Sequence, residues 1–262
     1  MISAIKCLFQ ACVTLFMVTG GVVSLSHAQT PSPQEVNFQL MQDFGDRFYD
    51  TREVPGNVLR SVEFYKKALK IHPKSGDIAW KIARSLCGID RHTTIPETRI
   101  EWLEQGISFA EQAVEWAPAN IRSHFWLGAC YAEYGSAAGL WKAWHYIYPV
   151  RREMRLVLEK DPKFAGAYHV LGAWYFTVPF WMGGSRDKGI ELLYQAVAYQ
   201  PDYTPHFIRL AQYLLQEKRT SAAIQILKQV LQVEQPYHPA LASEDFEYAR
   251  ELLSLHQQSS TP

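Results

Sequence analysis

The sequence predicts an all-α fold: a solenoid of about five helix pairs closed by a C-terminal capping helix. Three observations lead there. Pro73, Pro118, Pro162, Pro201 and Pro236 each follow an apolar-periodic stretch, at intervals of 45, 44, 39 and 35 residues, and proline cannot continue a helix. Between Ala165 and Pro201, one helix face carries Tyr168, Leu171, Gly172 and Tyr175, and a second carries Gly189, Leu193 and Ala196. Large and small residues at those steps let two helices pack antiparallel. No stretch alternates with the two-residue period of a strand. Self-similarity of this kind takes precedence over a domain count taken from 262 residues.

Residues 1–28 read as an export signal. Lys6 precedes the mostly apolar run Cys7–Val18, and Ser26-His27-Ala28 places small residues before a cut after Ala28. The alternative is an uncleaved anchor, because Cys7–Leu25 approaches the roughly 20 apolar residues that span a bilayer. Gln10 and Gly20-Gly21 interrupt that run, and Phe9-Gln10-Ala11 does not suit a lipoprotein cut before Cys12. The expected organisation is a signal over 1–28, a linker over 29–36, a solenoid over 37–258 and a disordered tail over 259–262. The expected location is exported, periplasmic and soluble.

Within the solenoid, Ser32-Pro33-Gln34-Glu35 reads as a capping box with proline at the first helical position, predicting a helix over 33–50. Val54-Pro55-Gly56 turns the chain into a second helix over 58–71. Repeat two has a helix from Asp77 and another over 97–116, joined by GIDRHTTIP. Repeat three starts on His124, Leu127, Gly128 and Tyr131 and then runs through GSAAGLWKAWHYIYPVRREMRLVLEKDP, longer than the strict motif. Repeat four is Ala165–Pro201, interrupted around Pro179–Ser185, where Gly183-Gly184-Ser185 reads as a turn and N-cap. Repeat five, 204–236, is nearly regular. A last helix over 242–256, opened by Ser243-Glu244-Asp245, caps the array.

The order aromatic, Leu-Gly, Tyr, then Ala, an apolar residue, Ala and Pro resembles the tetratricopeptide repeat (TPR), about 34 residues long in its strict form. That resemblance implies a right-handed solenoid whose first helices line a concave groove for a protein or peptide. Carried onto this chain, the groove positions are Lys81 and Ser85; Phe125, Ala129 and Glu133; His169, Ala173 and Thr177; and Ile208, Gln212 and Gln216. The surface they imply is mixed and mildly apolar. The carboxylate clamp of chaperone-binding TPRs is not matched: Lys81 fits, but Ser85 and Trp126 stand where Asn is expected.

A longer resemblance covers residues 58–256. It rests on Trp80, Ala83 and Arg84; on His124, Trp126 and Cys130; and on Asp161-Pro162 followed by His169, Leu171, Gly172 and Trp174. This order is similar to the regulator of microtubule dynamics family. Because members of that family bind phospholipid, the resemblance makes a lipid-like ligand an alternative to a protein partner. A weaker resemblance, to the periplasmic TPR T-components of TRAP transporters, rests on Gly183-Gly184-Ser185 and the export signal; the lipidated Cys of that group is missing.

Composition narrows the function classes. Lys+Arg and Asp+Glu are both 26, and removing residues 1–28 leaves 25 against 26. No net charge recruits nucleic acid. Cys87 and Cys130 fall on first helices of adjacent repeats. Two buried small side chains are the plainer reading, and a disulfide is the alternative in an oxidising compartment. The two insertions gather Trp141, Trp144, His145, Tyr146 and Tyr148 beside Arg151, Arg152 and Arg155, and Trp174, Tyr175, Phe180, Trp181 and Met182 beside Arg186 and Lys188. Arg forks beside aromatics suit an anionic head on an apolar body. The plainer expectation is that these aromatics fill the longer interhelical gaps. No HExxH, Gly-x-Ser-x-Gly or P-loop is present, and His124, His169 and His206 line up by repeat phasing. The expectation is a non-enzymatic scaffold without metal or cofactor, its partner unidentified.

Overall fold

The computed structural model describes residues 31–88, 96–139 and 141–258. The expected signal, most of GIDRHTTIP and the tail 259–262 lie outside the described residues. Among these, the chain forms α1 (Pro33–Asp50), α2 (Asn57–Ile71), α3 (Gly76–Cys87), α4 (Pro96–Trp116), α5 (Ile121–Ala138), α6 (Ile147–Lys160), α7 (Ala165–Thr177), α8 (Arg186–Tyr199), α9 (Thr204–Gln216), α10 (Thr220–Val230) and α11 (Pro239–Gln258). They fall into five pairs with α11 closing the end, a TPR-like helical solenoid. Four of the marking prolines lie two residues beyond a helix, after α2, α4, α6 and α8. Ser75, Asn120 and Ser185 cap α3, α5 and α8, each side chain accepting from a backbone N–H of the first turn.

Residues 33–36, which the capping box places in the first helix although the domain division counts them with the linker, form the first turn of α1, as proline at the first helical position allows. One helix boundary differs from the sequence reading. The last helix starts at Pro239, three residues early, with the His238 ring accepting from the Leu241 N–H. Asp245 is therefore inside α11, where it accepts from Thr204 Oγ1 at 2.6 Å and ties the cap to α9.

The helices form two layers. First helices touch across repeats, α3 on α5, α5 on α7 and α9 on α11, while each second helix makes its substantial contacts with the first helices beside it. Apolar clusters fill the space between. Tyr65, Ile78 and Ile82 join α2 to α3; Leu103, Leu127, Met154, Leu171 and Trp174 join repeats two to four; Phe176, Leu193, Leu210, Leu227 and Leu253 run from repeat four into the cap. The extra residues of repeats three and four form 3₁₀ turns at Trp144–Tyr146 and Phe180–Met182. The second is folded back by Ser185 N–H, which donates to Tyr175 O at 2.7 Å.

The pair α7/α8 meets backbone to backbone. A Cβ at Gly172 would stand 2.9 Å from Gly189 O and 2.8 Å from Leu193 Cγ, and one at Gly189 would stand 2.7 Å from Gly172 O. Gly172→Ala must therefore push the pair apart, a cost of about 1–3 kcal/mol. Denaturant midpoints of the two proteins check this; equal midpoints would show that the pair has slack.

Candidate functional site

The expected groove positions reach different depths. Phe125, Glu133, His169, Ala173 and Gln212 are half-buried and Thr177 is exposed. Ser85 is not in the groove. It is fully buried against α2, where Ser61 Oγ donates to its Oγ at 3.0 Å. Spacing had fixed its phase on α3, but α2 packs over that face. Ala129 and Ile208 are also nearly closed, at 7% and 8% exposed. Lys81 is committed rather than free: its Nζ lies 2.7 and 2.9 Å from the two oxygens of Asp46 on α1, and Tyr65 OH donates to the same carboxylate. Glu133 accepts from Arg99 of α4 at 3.3 Å. The accessible stripe thus runs over Phe125, His169, Ala173, Thr177 and Gln212. α11 extends it through Tyr248, whose hydroxyl accepts from Gln212 Nε2. Tyr248 was not among the expected positions, because α11 lies outside the repeat register from which they were read.

Two histidine contacts hold the first-helix layer from beneath. Glu153, 2% exposed, accepts from His124 Nδ1 at 2.6 Å and from Arg152 Nε and Nη2 at 2.9 and 2.6 Å, while His124 Nε2 faces Pro118 O. A buried carboxylate needs such partners to offset its lost hydration. Farther along, the Nδ1 atoms of His169 and His206 are 2.9 Å apart. His206 is buried, its Nε2 has no hydrogen-bond partner, and burial lowers its pKa to about 4.

The insertions overturn the expectation that their aromatics all fill gaps. Trp141, Trp144, Tyr148, Phe180 and Trp181 are 86, 64, 60, 81 and 70% exposed. Trp174 instead is buried and donates from Nε1 to Ile147 O at 2.6 Å, so it is closed to a ligand. The same bond brings the insertions together. Arg151 lies 5.5 Å above the Trp174 ring, and a Cβ at Gly183 would stand 3.5 Å from its Nη1. An open groove beside it, about 440 Å³, is lined by Tyr148, Arg151, Arg152, Arg155, Leu156 and Glu159. Burial alone would raise the Tyr175 pKa, but the charges of Arg151 and Lys188 and hydrogen bonding from Lys188 and Arg155 bring it below the usual tyrosine value.

Cys87 and Cys130 form a disulfide between α3 and α5, with Cα atoms 5.4 Å apart. This corrects the plainer reading of two separate buried thiols. Consecutive first helices approach closely enough here for a bridge. Gly106 of α4 makes the room, since a Cβ there would fall 2.4 Å from Cys87 Sγ.

A family profile described as "Regulator of microtubule dynamics protein 1-3" matches residues 45–180, just over half of the chain. The chain belongs to that family. Regulator of microtubule dynamics protein 1 from Mus musculus is 23% identical over 105 residues, covering 40% of this chain and 34% of the relative. The Pongo abelii protein of the same name is 20% identical over 173 residues, covering 59% and 55%. The matches thus span between about a third and just over half of these relatives' length. Among solved structures, a thermophilic TPR protein from Thermus thermophilus superposes with a TM-score of 0.63 at 17% identity, over 82% of this chain and 98% of that one. That likeness shows a TPR-like fold. The family match covers the disulfide, the His124–Glu153 pair and both insertions up to Phe180; the exposed Trp181 follows directly.

Two outcomes follow from these contacts. The disulfide closes a 43-residue separation, so reduction should lower stability by about 2–4 kcal/mol; unfolding curves with and without reductant measure it. His206 takes a proton near pH 6.5 when unfolded but near pH 4 when folded. Its contribution is complete above pH 6.5 and is lost as the pH falls toward 4, by about 3 kcal/mol. His206→Gln should flatten that part of the stability profile, and an unchanged slope would refute the assignment.

Proposed function

We propose that this chain is an exported, non-enzymatic TPR scaffold that holds a segment of another protein along its first-helix layer. The observation carrying the reading is the accessible stripe Phe125, His169, Ala173, Thr177 and Gln212, contributed by three successive first helices. It has one apolar aromatic, small residues that allow a close approach, and amide and imidazole groups for a peptide backbone. Lys81 and Glu133 are already paired, and none of the five stripe residues is a carboxylate, lysine or arginine, so recognition rests on shape and hydrogen bonding more than on charge. Export is supported by the apolar N-terminal run and by a disulfide, which persists in oxidising compartments. An enclosed carrier site for an amphipathic molecule has less support, because Trp174 is closed into the core and the neighbouring groove is open.

Photo-cross-linking groups placed at Ala173 and Gln212 should capture a specific polypeptide in the native host, while the same group at Glu191 on α8 or Gln225 on α10 should not. Ala173→Arg with Gln212→Arg should weaken that complex at least about tenfold while leaving the melting temperature nearly unchanged. Equal capture from both helix layers would end the groove assignment. The exported fraction should contain a chain beginning at Gln29.

A further inference from the structure

Trp141, Trp144 and Tyr148 stand on or just after the turn before α6, and Phe180 and Trp181 on the turn before α8, all more than half exposed. Large rings gathered on neighbouring turns mark a contact surface. Beside them, one face of α6 presents Tyr148, Arg151, Arg152, Arg155, Leu156 and Glu159 to an open groove of about 440 Å³. A helix laid along α6 would meet apolar and cationic side chains together.

The charges define what such a helix must carry. Residues 141–160 hold Lys142, Arg151, Arg152, Arg155 and Lys160 against Glu153 and Glu159. Glu153 is taken by Arg152 and His124. Arg155 and, on α8, Lys188 are exposed, and neither they nor Arg151 form a salt bridge to a carboxylate among the described residues. Arg151 and Arg155 lie one helical turn apart. The complementary surface has carboxylates at the same step, interleaved with apolar side chains.

The chain carries that surface itself. α11 holds Glu244, Asp245, Glu247 and Glu251 against Arg250, and Tyr248 and Leu255 are exposed on it. Glu247 and Glu251 are exposed, one turn apart, and in no salt bridge among the described residues. Each earlier first helix is backed by the second helix of its repeat, whereas none follows α11 among the described residues. α1 is also acidic and exposes Val36 and Leu40, but its Glu35, Asp43 and Asp46 are held by His72, Gln39 and Lys81. Within its own chain α11 packs on α9 and α10, so a second copy has to deliver it to α6.

We propose that the insertion face docks α11 of a second copy of this chain, with Arg151, Arg155 and Lys188 facing Glu247 and Glu251 while the exposed rings of the turns cover Tyr248 and Leu255. Made reciprocally, the contact closes a two-fold dimer in which both surfaces of both copies are covered. It does not rest on the reading of the first-helix stripe.

Sedimentation equilibrium of the full chain should show a dimer that dissociates on dilution and as salt rises from about 0.05 to 0.5 M. Arg155→Glu with Lys188→Glu should weaken self-association about tenfold or more, and Glu247→Lys with Glu251→Lys should do the same. Mixing the two variant proteins should restore the dimer, because every contact then pairs opposite charges again. That restoration separates a lost contact from a lost fold. A chain that stays monomeric up to about 0.1 mM overturns the proposal. So does a dimer indifferent to both reversals, or a mixture that associates no better than its components. A monomer that instead binds poly-glutamate through Arg155 and Lys188 overturns it in favour of a foreign acidic segment. Cross-linking at Ala173 and Gln212 reads the groove separately.

Discussion

No helix pair in this chain can bury its apolar face alone, and the contacts between repeats therefore hold everything else in place. Leu127 and Met154 of repeat three share one cluster with Leu103 of repeat two and Trp174 of repeat four. Polar and covalent ties follow the same route. The Cys87–Cys130 bridge joins α3 to α5, and the Trp174 indole bonds to the first residue of α6. Asp245 ties the cap to α9. A stripe built from three first helices keeps its shape only while each of these junctions holds. The binding surface and the core are stabilised by the same contacts.

The pair count and most helix limits were legible because they depend on local chemistry: prolines that stop helices and side chains that cap them. α1 and α2 fall within a residue of where Pro33 and Val54-Pro55-Gly56 place them. The groove was less legible for a physical reason. Spacing along α3 places Ser85 on a helix face but does not say how far α2 overlaps that face, and Ser61 turned out to lie directly against it. Lys81 has the right phase too, yet Asp46, on a helix 35 residues earlier, occupies its charge. Partners that distant in sequence leave no local signal.

The insertions show the opposite limit. Trp144 and Trp174 are the same residue type in comparable sequence surroundings, one largely exposed and one buried. What separates them is geometry. Trp174 is well inside α7 and faces α6, so its ring enters the core and its N–H finds a carbonyl. Trp144 opens a 3₁₀ turn ahead of α6, and the ring it meets is the edge-on imidazole of its neighbour His145. Composition alone cannot rank the two.

Charge pairing separates the two surfaces more clearly than position does. Among the groove positions, Lys81 and Glu133 are held by Asp46 and Arg99, and Asp46 also faces Arg84. Around Tyr175, Arg151, Arg155 and Lys188 converge on one phenol and together hold its pKa below the usual tyrosine value.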